Sequence, residues 1–187
     1  MAKHVCPYWV GYLLSNRLRK LLQGPSRVLG PYVKPDVAVL DVGSAMGFFS
    51  IPMARMVGPG GKVVCVDLQP KMLDVLARRA AKAGVSDRIE THVCSSASLC
   101  LDGREASFDF ALAFAVLHEV PDQARCLGEL HRLLKPGATL LLAEPKSRVT
   151  TAEFEQTVAC AREMGFAVSK RPYIRSARAV LLTTAMT

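Results

Sequence analysis

What most restricts this chain is an alternation. Short apolar runs that suit buried strands are separated, one after another, by stretches with helical periodicity. VAVLDV (Val37–Val42) is rich in β-branched residues, as a strand covered on both faces should be. A turn of small residues follows it, and Phe48–Val57 then reads as a helix. KVVCVDL (Lys62–Leu68) is a second buried strand, reached through the turn Gly58–Gly61. Lys71–Ala83 is a helix with Leu73, Leu76, Ala77 and Ala80 in register, and Gly84 caps it. RIETHV (Arg88–Val93) and SFDFALAF (Ser107–Phe114) read as the third and fourth strands. Asp122–Leu134 is a helix with Leu127, Leu130 and Leu134 inward, and Lys135-Pro136-Gly137 turns the chain into a fifth strand, ATLLLAEP. Thr150 and Glu153 have the spacing of a capping box, and Gly165 ends the helix they open. AVSKRPYIR and RAVLLTTA form a final pair, antiparallel because their link is short.

This order predicts an α/β fold: a doubly wound, mostly parallel seven-stranded sheet with a C-terminal antiparallel hairpin. Such sheets bind ligands beyond the carboxyl ends of their strands, at the point where the strand order reverses. That rule gathers Asp41–Gly47, Asp67–Leu68, Cys94–Ala97, Phe114–His118 and Glu144 around one crevice. Upstream, GYLLSNRLRKLLQGP places Leu14, Leu18, Leu21 and Leu22 on one helical face with basic residues opposite. A short helix is expected over Ser26–Tyr32. The chain thus divides into an N-terminal helical segment, 1–34, and a sheet domain, 35–187.

Composition narrows the class. The 187 residues are 50% hydrophobic and 21% charged, enough for one sizeable core and too apolar for wholesale disorder. The greasiest run, FALAFAVL (Phe110–Leu117), falls well short of the ~18 residues that span a bilayer. Without a secretory signal pattern at the N-terminus, the expected location is cytoplasmic. Six scattered cysteines with no CxxC pair read as reduced thiols in or near the core, with no zinc pattern. The formal charge of +8 gathers at the ends, at Arg17, Arg19, Lys20 and Arg27, and at Lys170, Arg171, Arg175 and Arg178. It suits nucleic acid, anionic lipid or an acidic small molecule. No RNA-reading aromatic pattern accompanies it, so a solvated basic face is favoured and nucleic acid is not.

The turn after the first strand carries the chemistry. Dinucleotide folds use G-x-G-x-x-G, with a helix N-terminus aimed at pyrophosphate. Here the pattern is Asp41-x-Gly43-x-Ala45-x-Gly47, with small residues at alternate positions and an acid ahead of them. Asp41 repels a pyrophosphate and suits a cation. Asp67 ends the second strand, about 20 residues on, where a carboxylate can accept both hydroxyls of a ribose. Leu68 beside it offers an apolar edge to a base. A ribose, a base and a cationic tail without phosphate together describe S-adenosylmethionine.

The chain resembles the class I, Rossmann-like S-adenosylmethionine-dependent methyltransferases of the ubiquinone/menaquinone-biosynthesis type. VLDVGSAMG is similar to the family's first motif, VVCVDLQPKML to its second, and FDFALAFAVLHEVPD to its fourth-strand motif. LHRLLKPGATLLLAEP resembles its fifth-strand motif and GFAVSKRPYIRSARAVLL its closing hairpin, so the resemblance covers about residues 35–185. It implies that Gly43, Ser44, Ala45 and Gly47 pass under the methionine moiety, with Asp41 bracing its ammonium. It implies that Asp67 holds the ribose and Leu68 touches adenine. Ser96 and Ala97 stand where the family has an Asp-Ala pair at the adenine edge, and Phe114 and Ala115 where the chain meets the methionine end. Two departures stand out. Ala45 replaces a glycine, a mild change if its φ is negative, and Ser96 replaces the adenine-reading acid, which weakens that contact.

Transfer from a sulfonium needs alignment above all, and a base only if the acceptor must lose a proton. His118 is the candidate base, or else a residue that ties down its loop. Glu144 either orients the acceptor or pairs with an arginine or lysine. Tyr8, Trp9 and Tyr12 either wall an acceptor pocket under an N-terminal lid or pack an ordinary helix, whose basic face also suits a membrane surface. With little chain between the fifth strand and the last helix, a small-molecule acceptor is favoured. RNA or protein methylation, a non-catalytic S-adenosylmethionine-binding partner subunit and, more remotely, a nicotinamide oxidoreductase remain the alternatives.

Overall fold

In the computed structural model, which describes residues 24–186, the alternation becomes one seven-stranded sheet in the order β3-β2-β1-β4-β5-β7-β6. The strands are β1 (Ala38–Val42), β2 (Lys62–Asp67), β3 (Ile89–Val93), β4 (Phe108–Phe114), β5 (Leu134–Pro145), β6 (Ala167–Lys170) and β7 (Ala177–Thr183). β3, β2, β1, β4 and β5 run parallel, and β7 pairs antiparallel with both β5 and β6. The order departs in opposite directions from β1 and β4, so the ligand-binding switch point lies between their carboxyl ends.

Helices cover both faces because the strands are apolar on both. α1 (Pro25–Leu29), α2 (Ser50–Met56) and α3 (Pro70–Ala83) share one core with Val39, Phe110, Leu112 and Leu141. α4 (Gln123–Leu133) and α5 (Thr151–Glu163) share the other with Leu40, Val64, Phe108 and Leu142. Phe108 and Phe110 are each 1% exposed, on opposite faces of one strand. Truncating either to alanine removes about 3–5 kcal/mol.

Local signals place the helices. Pro70 opens α3, and Gly84, at φ 68°, caps it in the left-handed region. The side chain of Asp122 accepts from the Arg125 amide at 2.9 Å to start α4. Thr150 and Glu153 form the expected capping box of α5.

One boundary differs from the sequence expectation. Lys135-Pro136-Gly137 is not a turn ahead of β5 but an irregular first part of that strand. Phe108 pairs with Leu134 and Phe110 with Thr139, so four residues of β5 bulge opposite Asp109. Asp109 accounts for the bulge. Its carboxylate accepts from Lys135 Nζ at 2.7 Å and from the Ala38 amide at 2.9 Å.

The expected helix carrying Leu14–Leu22, Tyr8, Trp9, Tyr12, Cys6 and residues 1–23 of the segment 1–34 read as a possible lid lie outside the described residues. The five described cysteines are free thiols: Cys65 and Cys126 are buried, Cys94 and Cys160 half-buried, and Cys100 is exposed, outside the core or near-core place expected of it. Among the described residues no helix is long and apolar enough to cross a membrane.

Candidate active site

The turn after β1 is stapled to the end of β2. The Val66 carbonyl accepts from the amides of Gly43 at 2.9 Å and Ser44 at 3.1 Å. Gly43 has φ 69°, and a Cβ there would sit 2.6 Å from Val116 Cγ2. Only glycine lets this backbone pass so close to the chain leaving β4. Ala45 also lies in the left-handed region, at φ 47°, so the condition for a mild glycine-to-alanine departure is not met. Ala115, across the crevice, has φ 60°. Each such alanine costs about 1–2 kcal/mol.

What holds Ala45 there is Asp67. Its Oδ2 accepts from the Ala45 amide at 2.9 Å and its Oδ1 from the Gln69 amide at 2.9 Å. Asp67 is 9% exposed. Burial pushes its carboxyl up, while backbone N–H groups of Gln69, Ala45 and Leu68 pull it down. Each carboxylate oxygen keeps a further lone pair for an incoming hydroxyl.

Asp41 lies deeper, 3% exposed, and accepts from Ser50 Oγ at 2.6 Å. Burial pushes its carboxyl up to about 7, against the Ser50 bond, and the charge of Asp67 raises it further. Among the described residues neither acid has an ion-pair partner. Two carboxyls that repel each other with no cation between them favour a positively charged ligand. Ser44 Oγ, buried in the same turn, has no hydrogen-bond partner among the described residues.

The next loop closes the crevice beyond β2. Leu68 is 38% exposed. The Cys94 amide donates to the Asp67 carbonyl at 3.1 Å. Ser95 Oγ accepts from the amides of Ala97 at 3.2 Å and Ser98 at 3.0 Å, and Glu129 of α4 accepts from the Leu99 amide at 2.7 Å. Ser96 and Ala97 are exposed at the tip of this pinned loop. Phe114 is different: its ring is core, 4.6 Å from that of Phe49, so only its backbone belongs to the crevice.

On the far side a 3-10 turn, Leu117–Glu119, carries His118. His118 Nδ1 stands 2.6 Å from Glu144 Oε2, and the His118 amide donates to Glu144 Oε1 at 3.3 Å. Glu144 is 1% exposed, at the end of β5. In the tautomer that donates Nδ1–H to this carboxylate, Nε2 keeps a free lone pair. Glu119 Oε1 lies 3.8 Å from that Nε2. Among the described residues Glu144 pairs with no arginine or lysine: it grips a histidine.

A family model described as "Methyltransferase domain" matches residues 33–171. This chain belongs to that family. The ubiquinone/menaquinone biosynthesis C-methyltransferase UbiE of Hahella chejuensis is 34% identical over 113 residues, covering 60% of this chain and 44% of that protein. The ubiquinone biosynthesis O-methyltransferase of Methylocella silvestris is 32% identical over 142 residues, 73% of this chain and 52% of that protein. The chain spans about half the length of these curated relatives. Among solved structures, a SAM-dependent methyltransferase from Aquifex aeolicus superposes with a TM-score of 0.86 at 22% identity, covering 97% of this chain and 100% of that one. The [4+2]-cyclase SpnF shares the fold at a TM-score of 0.74 and 18% identity, covering 87% of this chain and 80% of its own. The fold alone therefore names no reaction.

The methyltransferase domain fits the cofactor that its class implies. The glycine turn leaves room that a Cβ at position 43 would fill. Among the described residues Ser44 Oγ has no partner and the acids at positions 41 and 67 have no cation. Sequence reasoning placed all these residues at one sheet edge, and they are there. Ser95 and Val116 fell inside the ranges it gathered, without a role of their own, and it missed Ser50 and Glu129. Ser50 left a trace, as a hydroxyl on the helix next to the acidic strand.

Proposed function

We propose that this chain binds S-adenosylmethionine across the carboxyl edge of the sheet and methylates a small-molecule acceptor. The observation that carries the reading is the bond from the Ala45 amide to Asp67 Oδ2, 2.9 Å long. It welds the acid of β2 to the small-residue turn of β1, so that one rigid unit offers sugar acceptors and backbone passage together.

Asp67 accepts the ribose hydroxyls through its remaining lone pairs. Leu68 lies along the adenine, and the loop held by Ser95 closes its edge. The turn Gly43–Gly47 passes under the amino-acid tail, whose ammonium relieves the repulsion between Asp41 and Asp67. When bound, the cofactor supplies an electrophilic methyl and its own leaving group. The chain supplies alignment and a dry site, and alignment alone is worth several kcal/mol.

His118 takes the proton from an acceptor that must lose one. Glu144 fixes the ring so that Nε2 faces outward, and its charge stabilises the imidazolium that forms. A base so placed contributes about 10²–10⁴ in rate. Glu144 is a positioning residue in this scheme.

Calorimetric titration with adenosylhomocysteine and with NAD tests the proposal. The account expects micromolar or tighter binding of adenosylhomocysteine and none of NAD; the reverse preference overturns it.

A further inference from the structure

The acceptor side of the crevice carries positive charge that acids of the described residues absorb only in part. β7 begins where β5 ends, with Ala177 opposite Pro145 and Arg178 opposite Glu144. The link between β6 and β7 therefore reaches the same sheet edge as His118. Two segments meet there, 145–152 and 170–178. They hold Lys146, Arg148, Lys170, Arg171, Arg175 and Arg178, and not one acid.

The partners of these cations are almost all neutral. Arg178, half-buried, donates to the Val149 carbonyl at 2.7 Å, the Lys146 carbonyl at 3.4 Å and Thr151 Oγ1 at 3.1 Å. Its cross-strand neighbour Glu144 gives both carboxylate oxygens to His118 instead. Lys146 Nζ donates to the Arg175 carbonyl at 3.1 Å and lies 5.5 Å from the centre of the Tyr173 ring. Only Arg171 has an acid, Glu155, at 2.7 Å. The exposed side chains of Arg148 and Arg175 have no partner among the described residues. A guanidinium partly withdrawn from water and served only by carbonyls and a hydroxyl keeps its full charge for an anion, which it can grip through two N–H groups at once.

These segments also shape a concavity. Thr151, Phe154 and Glu155 of α5 face Arg171, Tyr173 and Arg178 across a groove of about 310 Å³, in which the Glu155 carboxylate is taken up by Arg171 and Arg178 is left without an acid among the described residues. That is the lower end of the range for small-molecule sites. Tyr173, 86% exposed, presents an aromatic ring at its mouth.

We infer that this groove holds the anionic group, carboxylate or phosphate, of a small aromatic acceptor, with Arg178 as its principal ligand and Tyr173 against the acceptor's ring. The inference rests on the methyl-transfer reading for the word acceptor, but the anion site stands on its own geometry. Arg178 is one strand from the glutamate that holds His118, so an anion fixed there tethers the acceptor beside the base.

The test is calorimetric titration of the full chain with phenyl phosphate and with phenol, each with and without adenosylhomocysteine. The expected result is saturable binding of phenyl phosphate and much weaker binding of phenol. Arg178→Gln should weaken phenyl phosphate roughly tenfold, the value of one lost charge-assisted contact. The double variant Arg148→Gln/Arg175→Gln touches no packed contact, so it folds, and it should also weaken phenyl phosphate while leaving adenosylhomocysteine binding unchanged. Arg132→Gln, whose side chain pairs with Asp102 and Glu105, is the control and should change nothing. Equal affinity for phenol and phenyl phosphate, or equal affinity of wild type and the variants for phenyl phosphate, overturns the inference. So does failure to bind phenyl phosphate in a chain that sediments with phosphatidylglycerol vesicles, since the anion is then a lipid headgroup. Loss of adenosylhomocysteine binding alone, with phenyl phosphate retained, refutes the methyl-transfer reading and leaves the anion site standing.

Discussion

His118 Nδ1 and Glu144 Oε2 lie 2.6 Å apart, and the same glutamate accepts the backbone N–H of His118 on its other oxygen. Ring and main chain of one residue are thus held by one buried carboxylate. If His118 is the base, His118→Ala should slow methyl transfer by about 10²–10⁴ with adenosylhomocysteine binding unchanged. Glu144→Gln, which keeps an acceptor but loses the charge, should slow transfer by about tenfold. An unaltered rate in His118→Ala would make the histidine a loop anchor.

Asp41 should make stability depend on pH. Its carboxyl is raised to about 7 in the folded chain from an ordinary 3.8, chiefly by burial. Between those values the folded state holds the extra proton. Stability therefore falls as pH rises through about 4 to 7, by up to about 1.4 kcal/mol per pH unit, and levels off above. Asp41→Asn removes that slope. Urea midpoints at pH 5 and pH 8 check it: the variant should gain on wild type at pH 8 and far less at pH 5.

Ala45 sits in the left-handed region at φ 47°. Ala45→Gly should relieve that strain, offset in part by the greater freedom of glycine in the unfolded chain. The net gain expected is about 0.5–1 kcal/mol, read from the shift in unfolding midpoint. No gain would mean that the greater freedom of glycine in the unfolded chain offsets the relief in full.

Gly43→Ala should do the opposite. The new Cβ would meet Val116 at 2.6 Å, at a φ that alanine resists. We expect a loss of about 1–3 kcal/mol and weakened adenosylhomocysteine binding. Adding Val116→Ala should restore the steric part only, so a full rescue would contradict the backbone argument.

The alternation of strands and helices was legible because β1, β2 and β4 are buried on both faces and read as unbroken apolar runs. The crevice was legible because its acids and small residues fall at strand ends. Three features were not. The bulge at Lys135–Gly137 has a turn's composition, and only Asp109, 26 residues away, shows that the chain stays in the sheet. The grip of Glu144 on His118 also spans 26 residues and follows from the β4–β5 register rather than from either local motif. The left-handed φ of Ala45 leaves no trace in a residue that also favours helices.

The most direct test of the account is the affinity of adenosylhomocysteine for wild type and Asp67→Ala, with folding of the variant checked by its unfolding transition. Losing the two hydroxyl contacts of a charged acceptor should weaken binding by about 100-fold or more in a folded protein. A folded Asp67→Ala that binds as tightly as wild type would place the nucleoside elsewhere and contradict the account.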